Sequence, residues 1–133
     1  MRFLDTNIIL RYLTLDNPSK AQKCEILFQR VASGKEIVFT STLVIAEVVW
    51  VLEKAYKLPK TKISGLVQKI LNTPHIECDE KDVLMAAAGL YQLKNIDFID
   101  AYNAILMQTR KIEAIYSYDT DFDSLPPLKR LEP

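Results

Sequence analysis

The sequence predicts an α/β fold, a three-layer α/β/α sandwich with a central parallel sheet. Short stretches rich in β-branched and aromatic residues alternate with longer stretches of helical periodicity. Strands that are separated by helices pair in parallel, with right-handed crossovers that place helices on both faces of the sheet. No linker, repeat or low-complexity segment interrupts the 133 residues, so we predict one domain over residues 1–133.

Helix caps and helix breakers divide the first half of the chain into elements. Asn17 before Pro18 is typical of a helix start, and Ser33 with Gly34 is typical of a helix end. Ser41 caps a later helix, which Pro59 separates from the next one. The predicted elements are strand Arg2–Leu4, a helix from Thr6 through Tyr12, helix Pro18–Ala32, strand Glu36–Thr40, helix Ser41–Tyr56 and helix Thr61–Leu71.

The second half follows the same alternation. Asp79 with Asp82 three residues later predicts a helix start, and Asp97 opens a further helix. Pro126 and Pro127 precede a stretch that favours an edge strand. The predicted elements are strand His75–Cys78, helix Glu80–Leu93, helix Asp97–Lys111, strand Ala114–Tyr118 and edge strand Leu128–Leu131.

Composition and charge exclude several classes of protein. Lysine plus arginine and aspartate plus glutamate number 17 each, so net charge does not attract the chain to nucleic acid or to anionic membranes. Cys24 and Cys78 lack any paired spacing, which indicates two free thiols and a cytoplasmic protein. The longest apolar run, Leu43–Leu52, is shorter than the ~20 residues that span a bilayer and contains Glu47. The sequence therefore predicts no membrane segment.

Two aspartates directly follow predicted strands. Asp5 comes after the first strand, and Asp119 comes after the strand that ends at Tyr118. Because the carboxyl ends of parallel strands share one edge of the sheet, where ligands bind in open α/β folds, we expect both carboxylates at that edge. Taken singly, each is better interpreted as an ordinary loop or cap aspartate, and it is their joint position that makes a shared site an equal alternative.

Glu47 stands among apolar residues on a predicted helix. Its neighbours three and four positions away are Leu43, Val44, Trp50 and Val51. A carboxylate on such a face has to be paired, protonated or bound to a cation, because burying it alone is costly. The alternative interpretation is a structural ion pair with a lysine or arginine.

Asp97 and Asp100 have the spacing of a helix-capping pair. In the local interpretation Asp97 caps the helix and Asp100 complements the helix dipole. Asp100 continues into a polar stripe through Asn103, on a helix that is otherwise rich in apolar residues. Such a stripe favours a ligand-facing position for Asp100.

Carboxylates that converge on one edge repel one another, and a hard divalent cation with oxygen ligands is the usual compensation. Mg²⁺ or Mn²⁺ fits best, because one histidine and two scattered cysteines cannot form the site that zinc prefers. Such an ion supports phosphodiester hydrolysis. With three glycines the chain has no phosphate-binding loop, and no serine near His75 has the surroundings of a hydrolase nucleophile.

Four short motifs together resemble the PIN-domain family, and within it the small VapC-type toxins of prokaryotic toxin–antitoxin pairs. An apolar strand followed by Asp-Thr-Asn, an acidic residue in an apolar helix, an aspartate before alanine, and a hydroxyl residue two before aspartate occur in that order. The matching segments are Phe3–Asn7, Ile45–Val48, Asp97–Ala101 and Ser117–Phe122.

The resemblance implies a parallel α/β/α sandwich, a Mg²⁺ or Mn²⁺ cofactor, endoribonuclease activity on RNA, a homodimer, and a small antitoxin that occupies the acidic site. It implies that the catalytic and metal-binding residues are Asp5, Glu47, Asp100 and Asp119. Glu47 either binds the ion or orients the attacking water. Two details differ from the family pattern: serine stands at position 117 where threonine is common, and Asp121 is an additional acid.

Several polar residues near these motifs are candidates for contacts with RNA. Thr6, Asn7 and Ser117 are predicted to support the carboxylates or to contact phosphate, and Arg11 lies one turn beyond Asn7. Further positive charge follows Glu47 at Lys54, Lys57, Lys60 and Lys62, although most of these lysines are better interpreted as solvated surface.

Two other functions are compatible with parts of this pattern. A non-cleaving PIN-like module would bind RNA or protein without hydrolysis, which the four acids argue against. A Mg²⁺-dependent phosphoacceptor switch domain also gathers aspartates at strand ends. It would need an acidic pair before the acceptor strand and a lysine after the last strand, and the sequence shows neither.

Overall fold

The computed structural model describes residues 1–133, which fall into two units, Met1–Lys81 and Asp82–Pro133. We call these unit 1 and unit 2. Both consist of short parallel strands joined by helices. The predicted α/β class with parallel strands is therefore confirmed, although the strands form two separate ladders where the sequence suggested one sheet.

Unit 1 contains a three-stranded parallel sheet in chain order. Arg2 is in register with Val38, and Val38 is in register with Ile76. The elements are β1 (Arg2–Phe3), α1 (Thr6–Thr14), α2 (Pro18–Ala32), β2 (Val38–Phe39), α3 (Thr42–Lys54), α4 (Lys60–Leu71) and β3 (Ile76–Glu77).

The helix ends of unit 1 follow from local chemistry. The Asn17 side chain accepts a hydrogen bond from the Lys20 amide and begins α2, and the Ser41 side chain accepts from the Val44 amide and begins α3. Gly34 has φ of 81°, a left-handed conformation that glycine adopts without strain, and it follows the last turn of α2. The predicted bounds of α2 are thus confirmed.

The core of unit 1 forms where the helices cover the sheet. Its fully buried apolar residues are aliphatic, and they recur at helical spacing in α3 and α4. The largest of them are Ile9, Ile45, Leu52, Ile63, Ile70, Leu71 and Ile76. This packing holds the carboxyl ends of β1 and β2 in place.

Unit 2 contains the remaining helices and a two-stranded parallel ladder, in which Ala114 is in register with Lys129. Its core includes Leu84, Tyr91 and Phe98, and the last two rings pack edge to face at 5.8 Å. The elements are α5 (Lys81–Lys94), α6 (Phe98–Thr109), β4 (Ala114–Tyr116), a 3₁₀ helix (Thr120–Ser124) and β5 (Lys129–Leu131).

Every predicted element is present, the 3₁₀ helix was not predicted, and the other differences lie at the element ends. All five strands are shorter than predicted, since residues such as Thr40 and Cys78 lie beyond the paired positions. The expected free thiols are confirmed; Cys24 is buried, and Cys78 is half-buried. Burial raises the pKa of both thiols. None of the helices has the length and apolar character that a membrane crossing requires.

Candidate active site

Asp5 lies where β1 ends and α1 begins. It is the N-cap residue of α1, with φ −89° and ψ 163°, yet its side chain makes no capping hydrogen bond. Asn17 and Ser41, at the starts of α2 and α3, both use their side chains to cap. Asp5 is exposed, so its carboxylate is free to bind a ligand, and the interpretation as an ordinary cap does not hold.

Thr6 connects this strand end to Glu47. The Thr6 side chain is buried, and its hydroxyl donates a hydrogen bond of 3.1 Å to Oε2 of Glu47 on α3. Thr6 is therefore placed to orient Glu47 rather than to meet substrate directly. Asn7, next along α1, is exposed.

The surroundings of Glu47 differ from the buried apolar face that the sequence suggested. Leu43 is 80% exposed and Trp50 is 62% exposed, so this side of α3 faces outward together with Glu47. The expectation of a buried carboxylate was wrong, because α3 buries Val44 and Val48 on its other side. No lysine or arginine pairs with Glu47, so the ion-pair interpretation also has no support.

Unit 2 brings three carboxylates together. Asp100 in the first turn of α6, Asp119 after β4, and Asp121 in the 3₁₀ helix offer oxygens that all lie within 4.8 Å of one another. Asp100 is half-buried, and the other two are exposed. The approach of Asp100 and Asp119, which the sequence could only suggest, is therefore present within this unit.

The electrostatics of the cluster act most strongly on Asp100. Burial raises the pKa of its carboxyl, and the negative charges of Asp119 and Asp97 and a hydrogen bond with Asp119 raise it further. Asp121 adds a smaller contribution in the same direction. The ionised form of Asp100 is thus disfavoured as the cluster stands, and a bound cation would reverse this effect.

Local hydrogen bonds hold Asp119 in place. Its amide donates to the hydroxyl oxygen of Ser117 at 3.0 Å, and its own Oδ1 accepts from the Asp121 amide at 2.9 Å. The Arg130 guanidinium donates to the carbonyl of Ser117 at 3.0 Å, which ties this turn to β5. Ser117 thus supports Asp119 through its hydroxyl oxygen, which accepts this bond.

Two other residues behave differently from their local interpretation. Asp97 is the N-cap residue of α6, but its side chain makes no capping hydrogen bond, so the cap that the sequence suggested is absent. Arg11 pairs with Asp16 at 3.0 Å, and the hydroxyl of Tyr56 also donates to Asp16. The ion pair with Asp16 therefore restrains Arg11 at the end of α1. An RNA phosphate would have to compete with Asp16 for the guanidinium of Arg11.

Asp121 is the residue whose role sequence reasoning left open. The signal was present in the Asp-x-Asp spacing after β4, but that spacing is common in turns. The 3₁₀ helix places the carboxylate of Asp121 back beside Asp119.

One well-formed cavity lies away from these acids. It has a volume of about 710 Å³ and is lined by residues of unit 2 that include Ile105, Met107 and Leu125. None of the predicted site residues lines it. This cavity is therefore not formed by the candidate site.

The three carboxylates of unit 2 fit a hard cation. Two oxygens bound to one Mg²⁺ lie about 3 to 4 Å apart, since each bond is about 2.1 Å in octahedral geometry. Oxygens within 4.8 Å need only a small side-chain movement to reach that spacing. All donors are carboxylate oxygens, which suits Mg²⁺ or Mn²⁺ and not zinc.

Comparison with known proteins identifies the family. A family model described as the PIN domain matches residues 2–127, nearly the whole chain. The chain belongs to the PIN-domain family. All four motifs, from Phe3 to Phe122, fall within the matched PIN domain. The family resemblance that the sequence suggested is thereby confirmed.

Two similar proteins carry VapC names. A VapC ribonuclease of Aquifex aeolicus (strain VF5) is 27% identical over 125 residues, which cover 94% of this chain and 92% of the relative. The crystal structure of Mycobacterium tuberculosis VapC20, a sarcin-ricin loop cleaving toxin, is 19% identical, covers 100% of both chains and has a TM-score of 0.42.

Proposed function

We propose that this protein is a Mg²⁺- or Mn²⁺-dependent endoribonuclease, the toxin of a toxin–antitoxin pair. The observation that carries the proposal is the meeting of Asp100, Asp119 and Asp121 in a chain of the PIN-domain family. No lysine or arginine forms an ion pair with any of the three, so their repulsion calls for a cation. The similar VapC ribonuclease supports RNA as the substrate class.

We assign Asp5, Glu47, Asp100 and Asp119 to the catalytic and metal-binding set. When bound, the ion would lower the pKa of a water molecule and neutralise charge on the phosphate. Asp100 and Asp119 would hold it directly or through water. Asp5, whose carboxylate is not used in capping, would serve in the same reaction.

Glu47 would orient the attacking water and accept its proton. The hydroxyl of Thr6 donates to Oε2, which leaves Oε1 of the carboxylate for the water. Ser117 would keep Asp119 in position through the amide of that residue. Asn7 is exposed and would contact an RNA phosphate, and Arg11 would do so in competition with Asp16.

Cleavage of RNA by purified protein tests the proposal. Asp5→Asn and Asp100→Asn should each reduce the rate by several orders of magnitude, about 10²–10⁴-fold, because positioned electrostatic groups contribute on that scale. Asp82→Asn is the matched control, since Asp82 is an exposed acid in the first turn of α5 and lies outside the cluster. Lys69→Ala should also retain activity.

Removal of divalent ions separates this proposal from a non-cleaving module. Excess EDTA should abolish cleavage, and Mn²⁺ or Mg²⁺ should restore it. Full activity in EDTA, or in Asp5→Asn, would remove the metal-nuclease assignment. RNA binding without cleavage under every metal condition would favour the non-cleaving module instead.

The assignment as a toxin extends to partners and place of action. We propose a homodimer, a small antitoxin partner and a cytoplasmic location, and the similarity to a VapC ribonuclease supports the toxin assignment behind them. Light scattering on the purified protein tests the dimer. Expression of this protein should arrest growth, and co-expression with the product of a neighbouring short reading frame should relieve the arrest. If Asp5→Asn no longer arrests growth, toxicity depends on the proposed site.

A further inference from the structure

We propose that Thr40 is a positioning residue that sets the orientation of Asp5. The inference rests on the proposed function, since it concerns how the same carboxylate is held. It starts from a buried hydroxyl: Thr40 has 0% exposure, although it lies beyond the end of β2. Its hydroxyl donates a hydrogen bond of 2.9 Å to the carbonyl of Leu4, the residue before Asp5.

The hydrogen bond lies where the pairing of β1 with β2 ends. The Leu4 amide donates to the carbonyl of Phe39 at 2.7 Å, and this bond is the last step of the ladder toward Asp5. The carbonyl of Leu4 then receives a side-chain hydroxyl in place of a further backbone donor. Leu4 is 3% exposed, so water has little access to that residue and the carbonyl needs a partner within the protein.

The carbonyl of Leu4 belongs to the same planar peptide group as the amide of Asp5. Holding the oxygen therefore sets the plane from which the Asp5 side chain projects. No capping hydrogen bond restrains the Asp5 carboxylate from its other side. The backbone before it, clamped at the Leu4 amide by Phe39 and at the Leu4 carbonyl by Thr40, is then the restraint on its direction.

Thr40 is itself fixed. Its amide donates to the carbonyl of Glu77 at 2.9 Å, which ties the end of β2 to the end of β3. The hydroxyl thus transmits the position of two neighbouring strands to the peptide group before Asp5. An apolar side chain of the same shape would keep the packing and lose this link.

Thr40→Val tests the inference because it removes the hydroxyl and nearly preserves the volume. Errors of about 1 Å in a reacting group cost on the order of 10²-fold in rate, so we expect kcat to fall about 10- to 100-fold with KM nearly unchanged. We expect Mn²⁺ affinity of the RNA-free protein, measured by titration calorimetry, to weaken about 10-fold. Thr40→Ser should recover both quantities to within about threefold of the wild type.

Ile70→Val is the control for lost stability. Ile70 is buried in α4 and makes none of the hydrogen bonds described above, so this variant lowers the melting temperature without touching Asp5. Its kcat and its Mn²⁺ affinity should stay at the wild-type values when measured well below the melting temperature. If Thr40→Val does not fold, the comparison of Thr40→Ser with Thr40→Ala, which differ in the hydroxyl, decides the same question.

The outcomes distinguish this inference from the proposed function. If Asp5→Asn is inactive while Thr40→Val keeps kcat and Mn²⁺ affinity within twofold of the wild type, Thr40 does not position Asp5 and the nuclease assignment stands. If Asp5→Asn is active, the proposed function is wrong, and the inference about Thr40, which rests on it, is wrong as well. A loss in Thr40→Val that serine does not rescue would overturn the role of the hydroxyl.

Discussion

Asp100→Asn should stabilise the metal-free protein, although it replaces a residue of the proposed active site. Asp100 lies within 4.8 Å of both Asp119 and Asp121, and its pKa is raised mainly by burial and by the neighbouring negative charges. Two unit charges at that distance repel by about 0.9 kcal/mol at the dielectric constant of water. Two such pairs give about 1.7 kcal/mol, and the exposure of Asp119 and Asp121 supports the aqueous value.

A helix-dipole contribution opposes this gain. Asp100 is in the first turn of α6, where an acid stabilises the helix by about 0.3–1 kcal/mol. The net gain for Asp100→Asn is then on the order of 1 kcal/mol at low ionic strength, which is roughly 2–5 °C in melting temperature for a chain of this size. Asp82→Asn is the matched control, because Asp82 is in the first turn of α5 and lies outside the cluster, so it loses only the dipole interaction.

Thermal melts followed by circular dichroism, in EDTA and in Mn²⁺, measure both effects. The wild type should gain about 2.7 kcal/mol when Mn²⁺ is at 100 times its Kd, and Asp100→Asn should gain at most about half of that if its affinity falls tenfold or more. Asp82→Asn should melt slightly below the wild type in EDTA and respond fully to Mn²⁺. If Asp100→Asn melts well below the wild type in EDTA and responds equally to Mn²⁺, Asp100 is a structural residue and the site is wrong.

Three further predictions follow from the same contacts. The pKa of Asp100 is higher in the folded protein than in the unfolded chain, so metal-free stability should fall as pH rises from the unfolded to the folded pKa. Below that range the wild type and Asp100→Asn should have the same melting temperature. A difference between their melting temperatures that does not depend on pH would contradict charge repulsion as its cause. Thr6→Val removes the hydrogen-bond donor to Glu47 and should lower the cleavage rate about 10- to 100-fold in steady-state assays. An unchanged rate would show that Glu47 does not depend on this hydrogen bond for its role. Ser41→Ala removes the cap of α3 and should cost about 1 kcal/mol in urea unfolding, with no loss showing that the cap is dispensable.

The order and type of the elements were accessible from sequence because they depend on neighbours within a few residues. Asn17 with Pro18 marks a helix start through one side-chain hydrogen bond and one fixed φ angle, and both act locally. The position of Asp5 directly after a strand has the same origin. For Asp100, a capping role and the polar stripe through Asn103 were both compatible with the sequence, and the family resemblance favoured the site role.

The tertiary structure decided which side chains meet and which faces are covered. Periodicity located apolar residues around Glu47, but Leu43 and Trp50 are exposed, since coverage of a helix face depends on elements distant in sequence. The bond from Thr6 to Glu47 spans 41 residues, and that from Thr40 to Leu4 spans 36. Such contacts depend on the path of the whole chain, which a pattern of 3.6 or 2 residues does not encode. The same holds for Asp121. The 3₁₀ helix places its carboxylate beside Asp119, and the path of the chain from α6 to β4 places both acids beside Asp100.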